Sequence, residues 1–168
     1  MSRVVAFSLG SNLGDREAFL ADASRKLAVE LGGARLSSIW ETEAVEVDGK
    51  QPRYLNLCVA GETNCSPREL LELCGRLERE AGRTAAHLEP RVLDVDLLLL
   101  GGDILAEDDL SIPHPGLAGR RFVLAPLAEV LPDWVHPVSG KSVAAMLEDL
   151  GKSQTLDLHK QVKDWWND

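Results

Sequence analysis

The sequence predicts an α+β fold, and three observations carry that prediction. Short apolar runs of strand length, bounded by glycine and proline, recur at 3–9, 34–40, 54–62 and 92–100. A stretch with helical spacing of its apolar residues separates the first run from the second, and another separates the third from the fourth. At 168 residues, with 45% hydrophobic and 27% charged, the chain suits one domain with a substantial single core.

The first strand, 3–9, runs into Gly10-Ser11-Asn12-Leu13-Gly14-Asp15. Asp15 suits a helix N-cap, with Leu20, Ala23, Leu27 and Leu31 on one side and Gly32-Gly33 as the stop. The turn has no lysine and lacks the spacing of a standard phosphate loop, so it reads as structural or as lining a site. After the second strand, 34–40, the polar loop 41–53 is long for a compact domain, and such loops often carry function. In the third strand Tyr54 and Asn56 share a face, and Asn56 needs a hydrogen-bond partner, either backbone or ligand. Ser66-Pro67-Arg68-Glu69 opens the second helix with a capping box, and Leu70, Cys74, Leu77 and Ala81 form its stripe up to Gly82.

The resulting order of strand, helix, strand, strand, helix, strand is the ferredoxin-like βαββαβ pattern, an antiparallel sheet with helices packed on one face. Helices at 123–130 and 143–150 make a C-terminal helical extension. The domain then covers 1–150 and a tail covers 151–168, with Leu156, Val162, Trp165 and Trp166 suiting either a docked amphipathic appendage or partial disorder.

The net charge of −9 argues against non-specific binding to nucleic acid or anionic membrane. It leaves room for an anionic substrate, because clustered arginines or a metal invert the field locally. Cys58, Cys65 and Cys74 are too few and too irregularly spaced for a disulfide framework or a closed zinc site. With no basic-then-apolar leader and no apolar run near 18 residues, the expected location is cytoplasmic.

The chemistry concentrates in Pro90-Arg91-Val92-Leu93-Asp94-Val95-Asp96. Side chains two apart on a strand share a face, so Asp94 and Asp96 project together. Such a pair holds a hard cation such as magnesium, completed by waters and substrate phosphates, or else the strand is a sheet edge and both acids face water. Arg83, Arg91 and Arg120 flank the pair in sequence, and His114 is framed by Pro113 and Pro115. That constellation suits phosphoryl-type transfer, which depends on positioning and charge neutralisation.

In these motifs the chain resembles the 6-hydroxymethyl-7,8-dihydropterin pyrophosphokinases of folate biosynthesis, from about residue 4 to 132. The likeness rests on Ser8 to Asp15, Tyr54-Leu55-Asn56, Glu78, Gly82-Arg83, Pro90 to Asp96, Ile112-Pro113-His114-Pro115, Arg120 and Phe122. The resemblance implies magnesium-dependent transfer of pyrophosphate from ATP to the pterin alcohol, with release of AMP. It assigns Asp94 and Asp96 to two magnesium ions, and Arg83 and Arg91 to the phosphates beside them as catalytic groups. Ser111, His114 and Arg120 would meet the nucleotide. Asn56 would hydrogen-bond the pterin, Tyr54 and Phe122 would sandwich its ring, and Thr42 and Val45 would line it. ATP and the pterin are the expected partners, and the expected state is a monomer.

The chain departs from the family pattern where ATP is clamped. Ala85 replaces a second arginine, His87-Leu88-Glu89 lacks the usual tryptophan, Gly75 replaces a polar side chain and Asp109 stands where some members are basic. The pterin loop reads Thr42-Glu43-Ala44-Val45-Glu46. These losses define an alternative, a catalytically impaired or repurposed pterin- or nucleotide-binding homologue. Against it, both aspartates are intact.

Overall fold

The two faces of one strand set the architecture. In β1 (Arg3–Ser11) the large residues Val5, Phe7 and Leu9 alternate with the small residues Ala6, Ser8 and Gly10, and nearly all are buried. A strand covered on both faces loses the polar alternation of a half-exposed one. β1 pairs antiparallel with β4 (Tyr54–Thr63) on one side and β5 (Asp94–Leu100) on the other. The computed structural model describes residues 2–42, 53–82, 92–152 and 154–166. Val45, Arg83 and Arg91 lie outside the described residues.

On the large-residue face, α1 (Arg16–Glu30) and α2 (Pro67–Glu80) bring Leu20, Leu27, Leu70 and Leu77 against Phe7, Leu9, Leu57 and Val95. Each such fully buried leucine contributes about 1.5–3 kcal/mol. The local signals that start these helices act as the sequence predicts. The Asp15 carboxylate accepts from the Ala18 amide at 3.1 Å, and Ser66 and Glu69 form a reciprocal capping box with Pro67 in the first turn. Gly82, at φ 89°, follows α2 in the left-handed region that glycine enters without strain.

The small-residue face is also covered. α3 (Arg121–Val130) and α4 (Val143–Leu150) lay Val123, Leu124, Leu127, Val143 and Met146 against Ala6, Cys58 and Ala60. Helices packed on one face therefore describes α1 and α2 alone. Glu129 ties α3 to the sheet, accepting from the Ser38 amide at 3.0 Å and the Trp40 indole at 2.8 Å.

The sheet order is β5, β1, β4, β3 (Ile39–Thr42) and β8 (Asp157–Lys160), with β2 (Gly32–Leu36) also on β4. The single strand expected at 34–40 is divided, because the chain leaves β2 at Ser37-Ser38 before entering β3 (Ile39–Thr42). Ser37 holds the break: its hydroxyl accepts from the Cys58 amide at 2.9 Å and donates to the Ser38 carbonyl at 2.7 Å. β6 (Leu105–Ala106) and β7 (Ser111–Ile112) form a small separate hairpin. Beyond α4 the chain returns as β8 (Asp157–Lys160) on the edge of β3, then makes a 3-10 turn, Val162–Asp164. The tail, for which the sequence leaves docking and partial disorder both open, docks here as a strand, because β3 offers unpaired edge groups that a strand satisfies. Trp165 and Trp166 pack on the first core cluster, and the Trp165 indole donates to the Ser37 carbonyl at 3.3 Å. Among the described residues no helix is long and apolar enough to cross a membrane.

Candidate active site

Sheet register brings the two halves of the predicted site together at Gly10. In β1 this residue pairs with Asn56 of β4 on one side and with Asp94 of β5 on the other. Directly opposed residues point to the same face, so Asn56 and Asp94 flank Gly10 with Cα atoms roughly 10 Å apart. A Cβ at position 10 would lie 3.3 Å from Asn56 Oδ1 and 3.5 Å from Tyr54 Cδ1, so glycine keeps this rung open. Asn56 is 4% exposed, and its Nδ2 meets no hydrogen-bond partner among the described residues. A buried amide donor of this kind calls for an acceptor.

α3 ends the roof beside that rung. The Cys58 thiol lies 3.7 Å from the Val123 carbonyl, which sets the first turn of α3 over the position two residues beyond Asn56. Burial pushes this thiol far above its ordinary pKa, so it packs as a small apolar group. Phe122 and Arg120 stand at the start of α3, with the guanidinium carbon 5.9 Å from the phenyl centroid. Arg120 lies along Gly116, where a Cβ would come within 2.8 Å of its Nε and Cζ. Tyr54, half-buried, stands two residues before Asn56 and opposite Thr42 of β3. The Thr42 hydroxyl donates to the Thr155 carbonyl at 3.3 Å, so in this structure it serves the tail.

The carboxylates open β5. Asp94 is half-buried and Asp96 exposed, with buried Val95 between them, the alternation expected of a shared face. β5 is also an edge strand, so the two readings of the pair are compatible. Glu78 of α2, 9% exposed, accepts from the Val95 amide at 3.0 Å and so braces the backbone between the two aspartates. The sequence placed Glu78 in the motif but gave it no task. Among the described residues no three His, Cys, Asp or Glu groups gather as a metal cage. Two carboxylates without further protein donors suit magnesium, which keeps waters and takes phosphate oxygens, rather than tetrahedral zinc.

A pocket of about 300 Å³ beside Asp96 is lined by Ser111 and His114 as well as Cys74 and Asp109. His114 is seated by its amide, which donates to the Leu98 carbonyl at 2.8 Å, and its Nδ1 accepts from the Gly116 amide at 3.0 Å. This bond leaves Nε2 to carry the proton of the neutral ring. Burial lowers the His114 pKa; the Asp96 charge opposes that and the Arg120 charge adds to it. Asp96, His114 and Arg120 thus share one field. Asp109 is engaged by Arg68 at 2.8 Å, and that hydrogen bond lowers its pKa; Arg68 also pairs with Glu107.

The structure thus gathers Asp94, Asp96, Ser111, His114, Arg120, Tyr54, Asn56 and Phe122 at one end of the sheet, with Thr42 on its margin. The sequence reading missed Gly10 as the shared rung and the supports supplied by Glu78 and Gly116. Gly10 stood in a motif, but only the register reveals its neighbours.

Comparison with known proteins identifies relatives of the whole domain. The 7,8-dihydro-6-hydroxymethylpterin-pyrophosphokinase family model matches residues 6–132. A 2-amino-4-hydroxy-6-hydroxymethyldihydropteridine pyrophosphokinase of Bacillus subtilis is 41% identical over 135 residues, covering 77% of this chain and 79% of the relative. Its counterpart in Synechocystis is 40% identical over 147 residues, covering 84% and 73%. Other relatives are much longer: the chain spans 20% of the folic acid synthesis protein fol1 of Pneumocystis carinii, at 34% identity. The Plasmodium falciparum HPPK-DHPS structure with pterin and p-hydroxybenzoate shares the fold, with a TM-score of 0.70 at 14% identity. That match covers 89% of this chain and 43% of the Plasmodium chain. A match running from the middle of β1 past α3 takes in every described element that lines the site, and the chain belongs to the 7,8-dihydro-6-hydroxymethylpterin-pyrophosphokinase family.

Proposed function

We propose that this chain transfers the pyrophosphoryl group of ATP to the hydroxymethyl oxygen of 6-hydroxymethyl-7,8-dihydropterin and releases AMP, as a step of folate synthesis. The observation that carries this reading is the Asn56–Gly10–Asp94 rung. It sets a hydrogen-bonding amide for a flat heterocycle one strand away from a carboxylate pair suited to cationic phosphate chemistry. The strand order also supports a ferredoxin-like core.

In this reading Asn56 meets the polar edge of the pterin, and Tyr54 and Phe122 take its two faces, where stacking uses their area well. Thr42 and Val45 belong to the same subsite. Asp94 and Asp96 would hold two magnesium ions, which would neutralise the charge that develops in transfer. Ser111 and the neutral Nε2–H of His114 are donors for the nucleotide. Arg83, Arg91 and Arg120 neutralise the remaining phosphate charge. The pterin oxygen forms a bond to the β-phosphorus while the bond from that phosphorus to the oxygen bridging the α-phosphate breaks. The bonding electrons leave with AMP, and the hydroxyl proton is released.

The test is AMP release from Mg-ATP by the purified chain, with and without 6-hydroxymethyl-7,8-dihydropterin. Pterin-dependent AMP, lowered about a hundred-fold or more in Asp94→Asn, supports the reading. Absence of AMP from the wild type, with pterin still binding, favours the non-catalytic homologue.

A further inference from the structure

We propose that residues 154–157 form a strap that fixes the spacing of the two aromatic walls, with Gln154 and Asp157 as positioning residues for the pterin. The inference rests on the proposed roles of Tyr54 and Phe122 and goes beyond them, to a segment that follows the matched region of the chain.

One end of the strap holds the start of α3. Arg120, the N-cap residue of that helix, makes no side-chain cap bond. Gln154 supplies the cap from a distance: its Oε1 accepts from the Arg121 amide at 2.8 Å, and its Nε2 donates to the Gly119 carbonyl at 3.0 Å. The Gln154 carbonyl also accepts from the Arg121 guanidinium at 2.9 Å. The residues on either side of Arg120 are thus fixed by one side chain, immediately before Phe122. A first-turn amide left without an acceptor weakens a helix start, so this remote cap decides where α3 begins.

The other end holds the strands that carry Tyr54. The Thr155 carbonyl takes the Thr42 hydroxyl, and Thr42 faces Tyr54 across the β3–β4 ladder. Asp157 accepts from Arg53 at 2.8 Å, the residue just before Tyr54, and pairs in register with Glu41. Arg53 also donates to Glu41 at 3.1 Å, and Glu41 in turn receives Arg16 at 3.0 Å. A chain of ion pairs, Arg16–Glu41–Arg53–Asp157, therefore anchors this end to α1.

The lengths are commensurate. Three extended residue steps reach about 10 Å. Two aromatic walls around one flat ring stand about 7–8 Å apart, twice the carbon contact distance. A strap of this reach holds the walls open by the thickness of one heterocycle, which lowers the ordering cost of binding. The Asp157 end bears on the strands that carry Tyr54, away from Arg120, whereas the Gln154 end sets the backbone on both sides of Arg120, so Asp157→Ala acts on the pterin and Gln154→Ala reaches the nucleotide side as well.

The experiment is steady-state AMP release by the full chain carrying Gln154→Ala or Asp157→Ala, with each substrate varied at saturation of the other. The expected result is a KM for the pterin raised about five-fold in Gln154→Ala and about three-fold in Asp157→Ala. In Asp157→Ala, KM for ATP and kcat stay within about two-fold, while in Gln154→Ala the ATP KM rises by less than the pterin KM. Asp157→Glu, which keeps the charge, recovers most of the pterin affinity. An unchanged pterin KM in both alanine variants, beside an active wild type, overturns the strap alone. So does a parallel rise of both KM values in Asp157→Ala with a falling thermal midpoint, since that marks general loosening. A wild type without pterin-dependent AMP release overturns the reading of the site, and the strap with it.

Discussion

Asn56 and Asp94 stand on opposite sides of Gly10, one on each strand that pairs with β1, and point to the same face of the sheet. α2 joins the two strands in the chain, and its Glu78 braces the Asp94 side through the Val95 amide. The separation of Asn56 and Asp94 is set by the backbone pairing of both strands with β1. A site built on this rung transmits little loop motion between its two halves.

Gly10→Ala tests the rung. The new methyl group would lie 3.3 Å from Asn56 Oδ1, tight enough to displace that side chain by a few tenths of an ångström, and in ordinary contact with Tyr54 Cδ1 at 3.5 Å. The expected outcome is a KM for the pterin raised about ten-fold with thermal stability largely kept. Kinetics together with a melting curve separates this from general damage.

Glu78→Ala removes the acceptor of the Val95 amide between the metal aspartates. Leaving that buried donor unmatched costs about 1–3 kcal/mol of stability. Half-maximal activity should then need more magnesium, because the strand holding the carboxylates is less fixed. Glu78→Gln keeps an acceptor oxygen and should retain most of both properties, as denaturant melts and magnesium titrations can show.

Much of this was readable before the fold. Asp15, Ser66 and Glu69 announce the helix starts because caps are local chemistry. Asp94 and Asp96 announce a shared face because strand period is local too. The second roof was hidden: Ala6, Cys58 and Ala60 are too small to look like a packed face, yet their smallness is what lets α3 and α4 approach. The break at Ser37-Ser38 depends on bonds to Cys58, and β8 depends on the edge of β3, both remote in sequence. The same holds for the site. Tyr54 and Asn56 are legible on one strand, while the meeting of Asn56, Gly10 and Asp94 is a fact of register.

Acid should loosen the tail before it unfolds the sheet. Burial raises the pKa of Glu17, but hydrogen bonds and charge from His159 and Lys160 of β8 outweigh it, and the net shift is downward. A carboxylate lowered in the folded state stabilises fully above its unfolded pKa of about 4.3, and that contribution is lost as pH falls through the lower folded value. Fluorescence of Trp165, whose indole rests on the Ser37 carbonyl, should change over that acid range in the wild type. Glu17→Gln should flatten the change.

The nucleotide end should be the weaker one. By the resemblance, Ala85, Gly75 and the Arg68-engaged Asp109 stand where groups that hold the nucleotide would be expected. Calorimetry with a non-hydrolysable ATP analogue should give weak binding, and Ala85→Arg should tighten it about three- to ten-fold. Tight binding by the unmodified chain would contradict this.

The most direct measurement compares AMP release by the wild type, Asn56→Ala and Asp94→Asn while the pterin and Mg-ATP are each titrated. A single site astride Gly10 predicts that Asn56→Ala raises the pterin KM and leaves that for ATP unchanged, while Asp94→Asn collapses kcat with the pterin still bound. Undiminished turnover in Asp94→Asn, or an Asn56→Ala variant with wild-type pterin KM, would contradict the account.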